Sequence, residues 1–396
     1  MIPKAQLLTI AKNYKLLPNT VQKDYVIGWL LRSISQHEMV SKWVFKGGTC
    51  LKKCYFETYR FSEDLDFTIP TDHIIDVNSI ESYLEEITTW IESNSGLTFP
   101  RQDWKIDEYK NLRGNTSYKV KISYVGPLGG APKSLPRVKF DLTQDELIVD
   151  TPQLQEVHHV FSDQFDPIPK VLCYSIEEIL AEKTRALFER QGRARDVYDV
   201  VNISRNFRKR IDAKQVEKVA KEKFEFKKLA KPSVDTIISA IDAEVLKANW
   251  EHQLSHQLIV LPSVEFYLND LRDAIAWWLE PVISSSELNS MPQAEGTLAP
   301  RAYYPSANWQ YGPSSLDVIR QAAQNRLCAI VKYDDKTRLV EPYSLRYPST
   351  GNEILHVWEI EKNGRRSDSH KSFKVHEIES ASMSDQSFQP KWKVEL

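Results

Sequence analysis

The segment Phe45-Lys46-Gly47-Gly48-Thr49, followed by Arg60-Phe61-Ser62-Glu63-Asp64-Leu65-Asp66-Phe67, constrains the fold more than any other part of the chain. A glycine pair ends a short apolar run, and a helix-length segment follows. Two acids then sit two residues apart inside a second apolar run. In a strand, residues i and i+2 share a face. Asp64 and Asp66 therefore project together, while Leu65 and Phe67 turn to the core. Two carboxylates on one face repel each other unless a cation lies between them. Hard divalent cations take oxygen ligands and share them with substrate phosphates. A Gly-Gly-Thr turn ahead of a helix offers backbone N–H groups to a phosphate. An Asp-x-Asp alone is common on solvated loops. The glycines upstream and Arg60-x-Ser62 beside it point here to a nucleoside triphosphate and a metal.

A chain of 396 residues implies two or three domains. Hydrophobic residues make up 41% and charged residues 27%, an ordinary soluble composition. The net charge of −2 gives no nucleic-acid signal for the whole molecule, although a local patch could still act. Cys50 and Cys54 have helical i, i+4 spacing, and Cys173 and Cys328 lie far off. Without further ligands at zinc spacing, all four read as small buried hydrophobes in a reducing cytosol. The first residues lack a basic region followed by a long apolar core, and no apolar run is long enough to span a membrane. The expected compartment is the cytoplasm.

Apolar periodicity predicts two helices over residues 3–40, with Thr20 able to cap the second. A short strand Trp43–Lys46, a helix Cys50–Tyr59 and a strand Asp64–Ile69 follow. Ile80–Ser93 reads as an amphipathic helix, and Tyr118–Val125 and Arg137–Leu142 read as strands joined by a Gly/Pro loop. Ser175 and Glu178 form a capping-box pattern for a helix to Gln191, which Gly192 ends or interrupts; Arg193–Ile203 continues helically. Helical patterning persists from Asp212 to Trp278. Ser284-Ser285-Ser286 and clustered prolines then mark a linker, so the C-terminal part should be separable. Short alternating strands occupy the end of the chain. Between Arg205 and Lys231 there are eleven Lys/Arg against four Asp/Glu, which suits either a solvated helix face or a nucleic-acid backbone.

Lys46-Gly47-Gly48-Thr49-x-Leu51 with Arg60-x-Ser62-x-Asp64-Leu65-Asp66-Phe67 resembles the AbiEii/AbiGii toxins of the nucleotidyltransferase superfamily. The likeness extends over roughly the first 280 residues. It implies a polymerase-β-like α/β fold with a mixed sheet and a site for an NTP with Mg²⁺ or Mn²⁺. Asp64 and Asp66 are the implied metal ligands. Asp141, in the strand Arg137-Val-Lys-Phe-Asp-Leu, is the candidate third carboxylate, bridging the metal or taking the proton of the attacking hydroxyl. Gly47, Gly48 and Thr49 would hold the β and γ phosphates, with Lys46 beside them. Ser62 could donate to a phosphate, and Arg60 could neutralise one or form a surface ion pair. The family's later motifs match Lys183 and Asp196, which implies Lys183 on the triphosphate and Asp196 on the nucleotide or on Lys183. Arg195 and Asp199 are equally explained by a cap or an intrahelical pair.

The end of the chain is similar to WYL domains, small Sm-like β-barrels, in Leu327–Tyr333, Arg338–Leu345 and Phe373–Ile378, although the Trp-Tyr-Leu triplet is missing. The expected division is a nucleotidyltransferase domain 1–205, a helical domain 206–283, a linker 284–312 and a WYL-like β-barrel 313–396. The resemblance implies an NTP-dependent toxin of a toxin–antitoxin or abortive-infection system, active in phage defence and neutralised by a cognate antitoxin. It would transfer NMP to an RNA acceptor, the 3′ end of tRNA being the acceptor that related toxins suggest. Two alternatives stay open: a nucleotide-binding regulatory protein without transferase activity, and nucleotidylation of a protein or small molecule.

Overall fold

The computed structural model describes residues 1–14, 16–56, 60–73, 75–110, 116–130, 134–281, 288–299, 314–348 and 351–396. Apolar residues on nearly every side of α2 (Pro18–Gln36) make it a central helix rather than a surface one. It packs between α1 (Lys4–Asn13) and α4 (Val77–Ser95). Pro18 opens α2 at the first helical position, where its missing N–H costs nothing. Thr20 lies inside the first turn and is not the cap.

Seven strands form the sheet beside these helices. They are β1 (Val44–Lys46), β2 (Asp64–Thr68), β3 (Lys105–Lys110), β4 (Thr116–Ser123), β5 (Arg137–Thr143), β6 (Gln153–Glu156) and β7 (Lys170–Cys173), in the order β3-β4-β5-β2-β1-β7-β6. β2 runs parallel to β5 and antiparallel to β1, and β1 runs parallel to β7, so the sheet is mixed. Polar β3 and the short pair β6 and β7 escape sequence periodicity because a polar edge strand and four-residue strands carry little signal.

Between β1 and β2 the chain departs from the expected single helix. A short α3 (Gly47–Cys50) widens into a π-turn (Leu51–Tyr55), and Phe56 is already extended. The remainder of the expected helix, 57–59, lies outside the described residues. β7 delivers α5 (Ile176–Glu189), followed by α6 (Ala194–Phe207), α7 (Ala213–Phe226), α8 (Val234–Ser239), α9 (Ala243–Leu254) and α10 (Val264–Leu279). Ser175 caps α5 by accepting from the Glu178 N–H at 3.1 Å. The capping box is not closed. The Glu178 carboxylate accepts instead from the N–H groups of Val149 and Asp150, and Lys223 lies 2.8 Å away. Residue 205 falls inside α6, and apolar side chains from both sides of it, such as Val200 and Val219, belong to one continuous core.

The C-terminal part contains α11 (Ser315–Gln324) and strands β8 (Thr297–Leu298), β9 (Leu327–Tyr333), β10 (Lys336–Tyr347), β11 (Ile354–Lys362), β12 (Arg365–Lys374) and β13 (Ile378–Ser387). The expected barrel is not closed. Antiparallel strands run β12-β11-β10-β9-β13, with β8 on β10, and among the described residues β12 and β13 do not pair. Instead, α11 covers the sheet, placing Ile319, Ala322 and Ala323 against Val331, Val340 and Val357. Part of the expected linker is structured: Met291 is buried with Cys328, Tyr343 and Phe388. Most of 284–312 lies outside the described residues. Among the described residues, no helix is long and apolar enough to cross a membrane.

Candidate active site

The parallel register of β2 and β5 places Asp66 directly beside Asp141, and Asp64 beside Lys139. On the other side of β2, Lys46 is the partner of Asp66. One cross-section of the sheet thus carries Lys46, Asp66 and Asp141 on three adjacent strands, with Asp64 two residues along. Burial pushes the Asp66 carboxyl up; Lys46 pulls it down, and Asp141 and Asp64 push it up again, leaving it at about 7. Tyr109 on β3 donates to Asp141 Oδ1 at 3.2 Å. Burial, then Asp141, pushes that phenol up to about 12.

Gly47 is required by contact as well as conformation, and Gly48 is close-packed. Gly47 has φ of +80°, and a Cβ there would lie 2.4 Å from Asp66 Oδ2. A Cβ on Gly48 would lie 2.5 Å from Arg60 Nη2 and 3.1 Å from Ser62 Oγ. Thr49 is fully buried, and its hydroxyl donates to the Asp64 carbonyl, so its side chain ties the turn to β2. Lys46 is buried with Nζ 3.8 Å from Glu182.

Facing the carboxylates, α5 and α6 bring a second group together. Lys183 Nζ lies 2.9 Å from both Asp196 Oδ1 and Asp199 Oδ2. Burial works against the lysine's charge, but the two aspartates outweigh it and hold the ammonium above its ordinary value. Of the two implied roles, Asp196 is seen on Lys183. Its Oδ2 is buried without a hydrogen bond, and Arg190 stands 3.5 Å away. Arg60 departs from the expected surface ion pair. It is buried rather than on the surface, and it lines the cleft beside Gly48. Its Nε and Nη2 make a two-pronged pair with Asp199 at 2.8 and 2.7 Å, and Nη1 reaches Gln257. Asp199 is therefore the buried anchor of both Arg60 and Lys183, a part its sequence position did not reveal.

Apart from Thr49, Asp199 and Gln257, these groups line a cleft of ≈ 620 Å³, with Glu182 and the exposed Arg190 and Arg193 also on its wall. Burial opposes the Glu182 charge, but Lys46, Lys223 and Arg185 hold its carboxyl well below the usual range. Sequence reading missed Tyr109 because its strand is polar throughout, and treated Glu182 as a charged helix face. Much of the basic run is neutralised: Arg205 pairs with Asp270, Arg208 with Asp273, Lys223 with Glu178 and Glu182, and Lys227 with Glu146. Lys214, Lys218, Lys228 and Lys231 are exposed.

A donor set of three carboxylates suits a hard divalent cation. Asp66, pushed up by burial and by its two acidic neighbours, is the kind of group that such a cation stabilises in its charged form. The family model described as "Nucleotidyl transferase AbiEii toxin, Type IV TA system" matches residues 29–280. The chain belongs to the AbiEii family. This AbiEii toxin is a nucleotidyltransferase of a type IV toxin–antitoxin system, a class that implies a cognate antitoxin. Its fold is similar to that of MenT4, a nucleotidyltransferase toxin from Mycobacterium tuberculosis H37Rv. The TM-score is 0.50 at 18% identity, over 71% of this chain and 90% of that one. No curated protein matches the sequence.

Proposed function

We propose that this AbiEii toxin transfers NMP from an NTP to a hydroxyl of RNA, the 3′ end of tRNA being the favoured acceptor, in a Mg²⁺-dependent reaction. The observation that carries this reading is the register that sets Asp66 beside Asp141, with Asp64 two residues away, at the mouth of the Gly47-Gly48 turn. The acceptor oxygen attacks the α-phosphorus, the α–β bridging bond breaks, and pyrophosphate leaves with its electron pair. Asp64, Asp66 and Asp141 would hold a divalent ion, which would supply charge neutralisation and lower the pKa of the attacking hydroxyl.

The remaining work falls to the chain's own residues. Backbone N–H groups of Gly47, Gly48 and Thr49 approach the β and γ phosphates, with Lys46 and Ser62 alongside. Lys183 neutralises phosphate charge, held in place by Asp196 and Asp199. Asp196 Oδ2, which accepts no hydrogen bond and has only the Arg190 guanidinium 3.5 Å away, offers an acceptor to a sugar or base N–H or O–H. Asp141, oriented by Tyr109, is placed to take the hydroxyl proton. Arg60 positions Asp199 and the turn rather than touching phosphate. Exposed Arg190 and Arg193 at the rim favour an acceptor with a phosphate backbone over a small molecule. The C-terminal sheet is assigned to acceptor contact or regulation.

The test incubates the protein with each labelled NTP, Mg²⁺ and either total bacterial RNA or total protein. Label is expected in the tRNA fraction and lost when Mg²⁺ is chelated. Label in protein alone, or equal labelling by an Asp64→Ala and Asp66→Ala double variant, would refute the proposal.

A further inference from the structure

Behind the glycine turn lies a cluster that the proposed transfer reaction does not use. Cys50 ends α3, Cys54 lies in the π-turn, and Cys173 ends β7, which pairs with β1 through Phe45 and Cys173. All three are free thiols, exposed by 0%, 6% and 0%. Their three Sγ atoms lie within 4.8 Å of one another. Packing alone needs only small apolar side chains at such a point. Three thiols in mutual reach add what an apolar cluster lacks, the capacity to ligate.

We propose that Cys50, Cys54 and Cys173 bind a thiophilic d¹⁰ metal ion, Cu⁺ or Zn²⁺, at a structural site separate from the catalytic carboxylates. Sulfurs that each sit about 2.3 Å from such an ion are about 3.8 Å apart in tetrahedral geometry, so a small inward turn of the side chains closes the set. Soft thiolate donors select these ions over the hard cation that Asp64 and Asp66 favour. Binding releases the thiol protons to solvent and involves no electron transfer. Cys50 directly follows Thr49, and the Cys173 register partner Phe45 is two residues before Gly47. A bound ion therefore cross-links β7 to the segment that carries the phosphate-binding turn.

The experiment titrates the fully reduced, full-length protein, in excess Mg²⁺ and without oxygen, with Cd²⁺ as the spectroscopic probe. A thiolate-to-metal charge-transfer band saturating at one ion per chain is expected, with a rise in the unfolding midpoint. The band should persist in Cys328→Ser, whose thiol lies in the C-terminal sheet, and vanish in Cys173→Ser and Cys54→Ala. Two variants from different elements keep the test decisive where one fails to fold. Displacement of Cd²⁺ by Zn²⁺ or by Cu⁺ identifies the preferred ion. No band in protein whose thiols are all titratable after denaturation overturns the proposal. So does undiminished binding in both cysteine variants.

Discussion

At Asp66, burial and two like charges compete with Lys46, and the carboxyl settles at about 7. Its pKa is raised above the unfolded value, so between the ordinary carboxylate range and about pH 7 the folded state binds the extra proton. Stability falls as pH rises through that window. Without divalent metal, the unfolding midpoint of the parent relative to that of Asp66→Asn should fall from pH 5 to pH 7, because His158, His159 and His356, whose pKa values burial lowers, push stability the other way equally in both proteins; identical pH profiles for parent and variant would rule this out. Affinity for Mg²⁺ should rise over the same window, which calorimetry at several pH values checks. Gly47 sets a second test. Alanine there meets the left-handed backbone cost of about 1–2 kcal/mol and the Asp66 carboxylate as well. Gly47→Ala should fold less stably and lose NTP affinity, measured by thermal unfolding and calorimetry.

Between elements, the buried link from Arg60 through Asp199 to Lys183 joins the segment ahead of β2 to α5 and α6. Removing one partner strands a buried charge, at a cost of about 3–5 kcal/mol. Asp199→Asn should therefore lower stability markedly in denaturant titrations. Lys183→Ala should lower stability as well, since it takes a partner from Asp196 and Asp199, and it should also weaken NTP binding because its charge faces the cleft. Calorimetry showing unchanged NTP affinity in Lys183→Ala would return that lysine to a purely structural part. Asp141→Asn should cut turnover roughly 100-fold or more with little change in NTP affinity, as expected where a proton acceptor is lost.

Across the whole molecule, the linker composition predicts a C-terminal part that separates cleanly, but the contacts show a closer attachment. Tyr198 and Tyr267 both donate to Asn325 Oδ1, at 2.7 and 3.2 Å, and Val260 packs against the C-terminal core. A chain truncated after Pro281 should keep its fold around the sheet but unfold at a lower temperature, because these buried hydroxyls lose their partner. Acceptor labelling at two salt concentrations then tests the division of labour. Full-length protein should show the steeper salt dependence if the C-terminal part touches a phosphate backbone. Expression of the intact chain in a bacterium should arrest growth, and Asp64→Ala or Asp66→Ala should relieve the arrest.

What sequence alone determined is local. A glycine pair, a spacer and acids at i and i+2 identify the turn, the strand and the two carboxylates, because each depends on neighbours along the chain. Lys183 and Asp196 were legible only as family motifs, and their mutual contact follows from the crossing of two helices. Tertiary structure decided the rest. Asp141 becomes a partner of Asp66 through a parallel register between strands far apart in sequence. Asp199 becomes an anchor because α6 buries it against Arg60. Cys173 joins Cys50 and Cys54 because β7 lies beside β1. The sheet at the C-terminus stays open because α11 covers the face that closure would have enclosed. Strand alternation specifies which residues turn inward, but whether a sheet closes depends on what else packs against it.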